Sequence, residues 1–262
     1  MVRASAALAP GTMQVDPYRW RLTLTYVAHL WKAVTQQHHL ELLPLLATLV
    51  PRDAVILDVG AHAGQFAKLF ARLAPKGRIW SFEPGSYARS ILRVALWLNR
   101  VGNVTVVPIG LGEAAGIATL TLPVKRPGSY GFGLAHLGAA EARWERVAAE
   151  PIAIGTVDLF AEAQRLDRLD FIKADIEGWE AAMLRGGRAT IERFRPRMLI
   201  ELTEAHLARA GDSLAGAFAL LAALGYRAYL PDGAKRLAPL GHPRDGDIWF
   251  LPEGDPLGSP GA

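Results

Sequence analysis

The chain contains no cysteine. That one absence removes disulfides, thiolate metal ligands and cysteine nucleophiles together, and it suits a reducing compartment, so a cytoplasmic location is the expectation. The sequence also lacks any run of the roughly 18 to 20 apolar residues that a helix needs to cross a bilayer, and no transmembrane segment is expected. Residues 1–15, rich in small side chains and carrying Pro10 and Gly11, lack the layout of a secretory leader and read as a loose tail. Basic blocks are missing too. Lys and Arg number 29 against 25 acids, a net charge of +4, and are scattered. With no basic face interleaved with aromatics, nucleic acid is not expected as a partner.

The 51% hydrophobic fraction over 262 residues excludes a mostly disordered chain and suffices for one large α/β domain. The most informative stretch is Val55 to Gly64, V-I-L-D-V-G-A-H-A-G. Val55, Ile56 and Leu57 read as a strand covered on both faces, Gly60 and Gly64 as a turn, and Gln65 to Ala74 as a helix. Phe66, Leu69, Phe70 and Leu73 fall at i, i+3, i+4 and i+7, one apolar face laid on the sheet. Strand, glycine turn and helix form a nucleotide-binding unit, in which glycine lets a ligand approach the backbone.

A second strand, Arg78 to Phe82, ends in Glu83-Pro84, with Glu83 nineteen residues after Gly64. An acid there is placed to accept two hydrogen bonds from a ribose diol, although a solvent-exposed turn acid has the same spacing. A helix from Ser86 to Asn99 and a strand from Val104 to Val107 extend the βα alternation, which argues for a doubly wound sheet. Upstream, Asp16 to Val50 reads as one or two helices, with Trp20, Leu24, Val27, Leu30, Trp31 and Val34 at helical spacing and His39 to Leu49 interrupted by Pro44. A helical cap packed on the main domain is the expectation, ahead of a lid, a dimer contact or a membrane-surface helix.

After a strand at Ile117 to Leu122, residues 123–138 hold four glycines together with Ser129, Tyr130 and His136, the composition of a long loop or a binding loop. A short strand at Ile152 to Ile154 and a helix begun by Thr156-Val157-Asp158 lead to the second informative stretch, Leu169 to Glu180. There an apolar strand delivers Lys173, Asp175 and Glu177 at alternating positions, so their side chains should emerge on one side. Two carboxylates beside an ammonium could hold a hard cation such as Mg²⁺, orient a hydroxyl, deprotonate it, or form a purely structural network. A helix from Trp179 to Leu184 closes at Gly186-Gly187. The next strand, Met198 to Leu202, is punctuated at its end by Glu201, Glu204 and His206, and His206 is either a proton acceptor with its tautomer held by a nearby carboxylate or an ordinary surface histidine. Leu214 to Leu224 reads as a helix capped by Ser213, and Tyr226 to Leu230 and Asp247 to Leu251 as closing strands.

The series D-V-G-A-H-A-G (58–64), F-E-P (82–84), V-V-P (106–108), K-A-D-I-E-G-W-E (173–180) and L-I-E-L (199–202) resembles the FkbM family of S-adenosylmethionine-dependent methyltransferases over about residues 50–230. The resemblance implies a class I methyltransferase (Rossmann-like) α/β fold: a doubly wound, mostly parallel seven-stranded sheet with an antiparallel last strand. An N-terminal tail and helical cap (1–50) would precede the methyltransferase domain (51–252), with a flexible tail (253–262) after it. It further implies O-methylation of a hydroxyl on a sugar, glycolipid or secondary-metabolite acceptor. Asp58, Gly60, Ala61, His62, Gly64 and Glu83 would hold the cofactor, His62 standing where the family more often has Asn. Asp175 and Glu177, with His206, would handle the acceptor hydroxyl, and Lys173 would tune the carboxylates. Mg²⁺ at Asp175 and Glu177 and a homo-oligomer stay open.

Two rival readings remain. A nicotinamide-dependent oxidoreductase shares the βαβ start, but G-x-x-x-G here is not G-x-G-x-x-G. A catalytically inactive Rossmann-like binding protein is the other.

Overall fold

A computed structural model describes residues 13–15, 23–126, 129–130, 136–137 and 146–258. The chain opens with β1 (Met13–Val15), α1 (Leu24–Thr35), α2 (Leu43–Leu49), β2 (Val55–Val59), α3 (Gln65–Leu73), β3 (Arg78–Phe82), α4 (Ser86–Leu98) and β4 (Val104–Val107). There follow β5 (Gly110–Leu111), β6 (Gly116–Arg126), β7 (Ser129–Tyr130), β8 (His136–Leu137), β9 (Arg146–Gly155) and α5 (Val157–Ala163). The last third carries β10 (Phe171–Ala174), α6 (Glu180–Gly186), α7 (Arg188–Phe194), β11 (Arg197–Leu202), α8 (Glu204–Ala210), α9 (Leu214–Ala223), β12 (Tyr226–Pro231), β13 (Leu237–Pro239) and β14 (Gly246–Pro252).

Eight strands form the central sheet in the order β13-β12-β14-β11-β10-β2-β3-β4. From β4 to β11 every pairing is parallel, and β14 runs antiparallel between β11 and β12. The seven-stranded expectation thus gains a short edge strand, β13, paired antiparallel to β12.

The pleat divides the strands' side chains between two cores. Leu57, Val59, Trp80, Phe82, Ile172, Met198, Ile200, Ile248 and Phe250 join the cluster that also takes buried residues of α5, α6, α7 and α9. The alternate residues Ile56, Ile79, Phe171, Leu199, Trp249 and Leu251 pack with Leu45, Leu46 and Leu49 of α2 and Phe70 of α3. With both faces covered, the strands show no polar alternation along Val55-Ile56-Leu57 and Phe171-Ile172, and polar side chains enter only towards the carboxyl ends, at Asp58 and Lys173.

A second sheet, in the order β1-β9-β6-β7 with β5 and β8 attached, was not anticipated. Its spine is the antiparallel pair β6 and β9, in register from Gly116 opposite Ile154 to Pro123 opposite Val147. Only the short segments Ile117 to Leu122 and Ile152 to Ile154 were legible as strands, because Pro123 and Pro151 and the lysine and arginine that follow resemble strand ends. Of the loop residues singled out earlier, Ser129 and Tyr130 form β7 and His136 begins β8.

The N-terminal segment resolves into α1, a 3₁₀ turn at Leu40–Leu42 and α2. Pro44 does not interrupt a helix: it sits in the first turn of α2, where its missing N–H would have had no partner anyway. Lys68 of α3 fixes the end of α1 by donating from Nζ to the carbonyls of Ala33 (2.6 Å) and Gln36 (2.9 Å). At the other end the chain stays attached as far as Gly258. Asp255 pairs with Arg197 at 2.8 Å, and Tyr229 donates its hydroxyl to the Gly258 carbonyl.

Candidate active site

The face of the sheet that carries Ile79, Ile56, Phe171, Leu199 and Trp249 turns polar two residues further along each strand. At the carboxyl ends of the parallel strands it presents Ser81, Asp58, Lys173 and Glu201, with Asp247 at the start of antiparallel β14. Asp58 lies opposite Ser81 on one side and Lys173 on the other, while Glu201 lies opposite Asp247. One face of the sheet therefore gathers polar residues from five separate strands in two successive rows, Lys173 lying opposite Leu199 and Glu201 one row further out. Above it opens a cavity of about 340 Å³, lined on one side by Gly60, Ala61, His62 and Glu83 and on the other by Lys173, Asp175, Glu177 and Glu201. Ligands of open α/β sheets collect at this end of the strands.

At the first side, β2 ends in a tight turn. The N–H groups of Gly60 and Ala61 both donate to the Phe82 carbonyl, at 3.1 and 3.0 Å, which locks the turn to the end of β3. Gly60 has φ +76°, and a Cβ there would stand 1.8 Å from the Asp175 carbonyl oxygen. Gly64 has φ +88°, and its Cβ would stand 2.6 Å from Leu92 Cδ1. Close packing thus requires both glycines, Gly60 against Asp175 just after β10 and Gly64 against Leu92 of α4. Gly60 lines the cavity, whereas Gly64 and Asp58 do not. Asp58 is fully buried: Ser81 donates its hydroxyl to Oδ2 at 2.9 Å and Oδ1 has no hydrogen-bond partner. Burial pushes the Asp58 carboxyl up, and the Lys173 charge and the Ser81 hydroxyl offset part of that rise.

Glu83 is no solvent-exposed turn acid. It is buried, with Oε2 accepting from the His62 N–H and Oε1 from the Gly85 N–H, each at 2.8 Å. Burial raises its carboxyl to about 7 despite these two donors and the charges of Arg89 and Lys173. One lone pair of each oxygen remains for a ligand. Neighbouring His62, held down to about 4 chiefly by burial, is neutral at physiological pH.

At the second side β10 stops at Ala174, one residue before the strand pattern places its acids. Lys173 points inward with a side chain only 5% exposed; its Nζ donates to the Gly60 carbonyl at 3.0 Å, pairs with Asp175 Oδ2 at 3.5 Å and sits 5.1 Å over the Phe66 ring. Glu177 has φ +57°, so strand alternation does not extend to it. Its Oε2 lies 2.9 Å from Nδ1 of His206, at the start of α8. His206 itself does not line the cavity, and its contact with it runs through the lining residue Glu177. Glu180 holds this loop from beneath, accepting the N–H groups of Ile176 and Gly178 at 2.8 and 3.3 Å. Asp175 and Glu177 thus look to different partners, and among the described residues no group of three or more His, Asp or Glu side chains is arranged to hold a metal. Nothing here supports the Mg²⁺ expectation.

Glu201 and Asp247 are lining residues to which the sequence assigned no role. The Glu201 carboxyl hydrogen-bonds Asp175, and that bond, followed by burial and the charges of Asp175, Asp247 and Glu177, raises it to about 8. Burial also disfavours a charge on Asp175, but Lys173 and the Glu201 hydrogen bond outweigh it and hold Asp175 below the usual carboxylate range. One proton, carried by Glu201, is therefore shared between the two acids. Asp247, His39, Phe66 and Trp179 also line the cavity, His39 stacking on Phe66 at 4.7 Å, and Leu120 and Leu122 of the second sheet roof it.

A pH dependence of stability follows. Glu83 and Glu201, ordinarily at 4.5, are raised to about 7 and about 8, so the folded chain holds protons that the unfolded chain has released. Their contribution is complete below 4.5 and is lost as pH rises through those two values. His62, lowered from 6.5 to about 4, acts in the opposite sense below 6.5. The clean window is therefore from about 6.5 to about 8, where denaturant midpoints should fall with rising pH. Glu201→Gln donates to Asp175 without titrating and should flatten that fall; an unchanged slope would contradict the shared proton.

A doubly wound parallel sheet with one antiparallel strand threaded between its last two, a glycine turn after its first strand and an acid after its second is that of a class I methyltransferase. The description "Methyltransferase FkbM domain" matches residues 58–228, and the chain belongs to this family. It is 28% identical over 160 residues to methyltransferase sdnD of Sordaria araneosa, covering 52% of this chain and 61% of that protein. It is 26% identical over 166 residues to the 2-O-methyltransferase NoeI of Sinorhizobium fredii, covering 58% and 64%. The chain thus spans less than two thirds of the length of either relative. Among solved structures, a methyltransferase FkbM from Methylobacillus flagellatus aligns with a TM-score of 0.48 at 16% identity, over 86% of this chain and 58% of that one.

Proposed function

We propose that the chain is an S-adenosylmethionine-dependent O-methyltransferase acting on a hydroxyl of a sugar, glycolipid or secondary-metabolite acceptor. The observation that carries this reading is the polarity of one cavity: a buried, backbone-anchored acid at one side and a lysine-held carboxyl pair at the other. The named activity of NoeI, a 2-O-methyltransferase, supports the choice of a hydroxyl acceptor.

The residues present fit the cofactor. Glu83 has one lone pair free on each oxygen, the arrangement a ribose cis-diol matches, and hydroxyl donors would stabilise the anion that burial disfavours. Ala61, His62 and Gly85 would flank it. When bound, the cofactor supplies a methyl group on a sulfonium, open to in-line attack by an oxygen.

Asp175 takes the hydroxyl proton in this reading. It is ionised, lines the cavity and would accept the proton on a carboxylate oxygen, while its hydrogen bond with the protonated Glu201 holds it in place. Lys173, fixed by the Gly60 carbonyl, keeps Asp175 ionised and couples the acceptor side to the cofactor turn. Glu177 and His206 position the loop that follows. Leu120, Leu122 and Trp179 exclude water from a reaction that needs mainly alignment.

Calorimetric titration with S-adenosylmethionine and, separately, with NADH tests the reading. The sulfonium compound should bind with micromolar affinity and NADH should not. Binding of NADH alone would turn the assignment to hydride transfer. Binding of neither would leave a Rossmann-like binding protein.

A further inference from the structure

Helix α1 is seated firmly yet faces outward with apolar residues. Ala33 is buried, and Tyr26, Leu30 and Val34 pack on a cluster holding Tyr87, Ile91 and Ala95 of α4. The Tyr26 hydroxyl meets Ser90 Oγ at 3.2 Å, His29 Nδ1 meets the Tyr87 hydroxyl at 2.7 Å, and Asn99 Nδ2 donates to the Val34 carbonyl at 3.3 Å. Lys68 caps the helix end. On such a helix the outer face should be polar. Instead Leu24, Val27 and Trp31, at i, i+3 and i+7, are exposed, Trp31 by 67%. The Asn99 contact sets the end of α4 beside the end of α1, and there Trp97 is 74% exposed and Leu98 is exposed as well.

Among the described residues, the charged side chains of α1 and α4 have one sign. Neither α1 nor α4 contains an aspartate or glutamate, although the chain holds 25 acids, and Lys32, Arg93 and Arg100 are exposed along this face. A two-fold contact between copies through this face would bring like charges together with no acid on α1 or α4 to meet them. Tryptophan in an apolar stripe rimmed by Lys and Arg matches the boundary between acyl chains and anionic headgroups. We propose that the α1–α4 face docks on an anionic lipid surface. No helix among the described residues is long and apolar enough to cross a membrane, so the docking is peripheral. The chain leaving α1 runs directly to His39, which lines the cavity, so docking holds the cavity close to the lipid.

Co-sedimentation of the full chain with vesicles tests this without any methyl-transfer readout, so its outcome is separate from that of the proposed function. Vesicles of phosphatidylcholine mixed with phosphatidylglycerol should pellet the protein, and phosphatidylcholine alone should do so far less. Trp31→Ala with Trp97→Ala should weaken binding to the anionic vesicles about tenfold or more, and added salt should weaken it further. Ile117→Ala, an exposed apolar residue on β6, should change nothing. No pelleting of the wild type, or equal pelleting of the double variant, would overturn the proposal. So would a dimer mass by light scattering that the double variant reduces to a monomer, which would assign the face to a second copy.

Discussion

Asp175→Asn is expected to lower kcat about a thousandfold while leaving S-adenosylmethionine affinity within about threefold of wild type, the loss typical of a missing general base. The geometry separates the two effects. Glu83, His62 and Gly85 form one hydrogen-bonded unit at the end of β3, and Asp175 belongs to another, with Lys173 and Glu201 at the ends of β10 and β11. Asparagine keeps the shape and accepts from Lys173, but it is no proton acceptor. The substitution also removes the charge that holds a proton on Glu201, which should then titrate below the value of about 8 it has beside Asp175. Any residual activity should therefore depend on Glu201 and vanish in Asp175→Asn with Glu201→Gln. Calorimetry and single-turnover methyl transfer on the same preparations read the two quantities separately. Equal loss of both would place Asp175 with the cofactor instead.

How much of this was legible in the sequence depends on how locally each feature is determined. Strand β3 and strand β4 came out residue for residue, α3 and α9 within one residue and β2 two residues short, because buried strands and one-sided helices write their burial into composition. The long β6 and β9 pair was half seen, since its pairing spans residues far apart in the chain and prolines punctuate it. Asp58, Glu83, Lys173 and Asp175 stood out from their motifs. Glu201 and Asp247 did not, since each is an ordinary acid at a strand end until the antiparallel register of β11 and β14 sets them opposite one another. Lys173, Asp175 and Glu177 do line one cavity, but not through strand alternation, which holds only while the strand lasts: β10 ends at Ala174 and Glu177 has φ +57°. His206 illustrates the converse, a correct partner type, since Glu177 does hold its ring, set outside the cavity lining.

Gly60→Ala should be the most destabilising substitution in the turn, by about 4 kcal/mol or more, the range reserved for forced backbone movement. Two effects add. Alanine at φ +76° is strained by about 1 to 2 kcal/mol. Its Cβ would also stand 1.8 Å from the Asp175 carbonyl oxygen and 2.9 Å from the carbonyl carbon, both backbone atoms that no rotamer change can move. Relief requires parting the turn from β10, which breaks the Asp175 N–H bond to the Val59 carbonyl at 3.2 Å and the Lys173 bond to Gly60. Two other glycines calibrate the effect. Gly64→Ala meets only the Leu92 methyl at 2.6 Å, which a side-chain rotation can move, and should lose less. Gly211→Ala, at φ +85° with nothing within 4 Å, should lose the strain alone, about 1 kcal/mol. For a chain of this size the Gly60 variant should melt about 10 °C lower, and scanning calorimetry of the three variants should give the order Gly60, Gly64, Gly211. A Gly60 variant as stable as the Gly211 variant would show that the turn can part from β10 freely, and the link between the cofactor turn and Asp175 would fail with it.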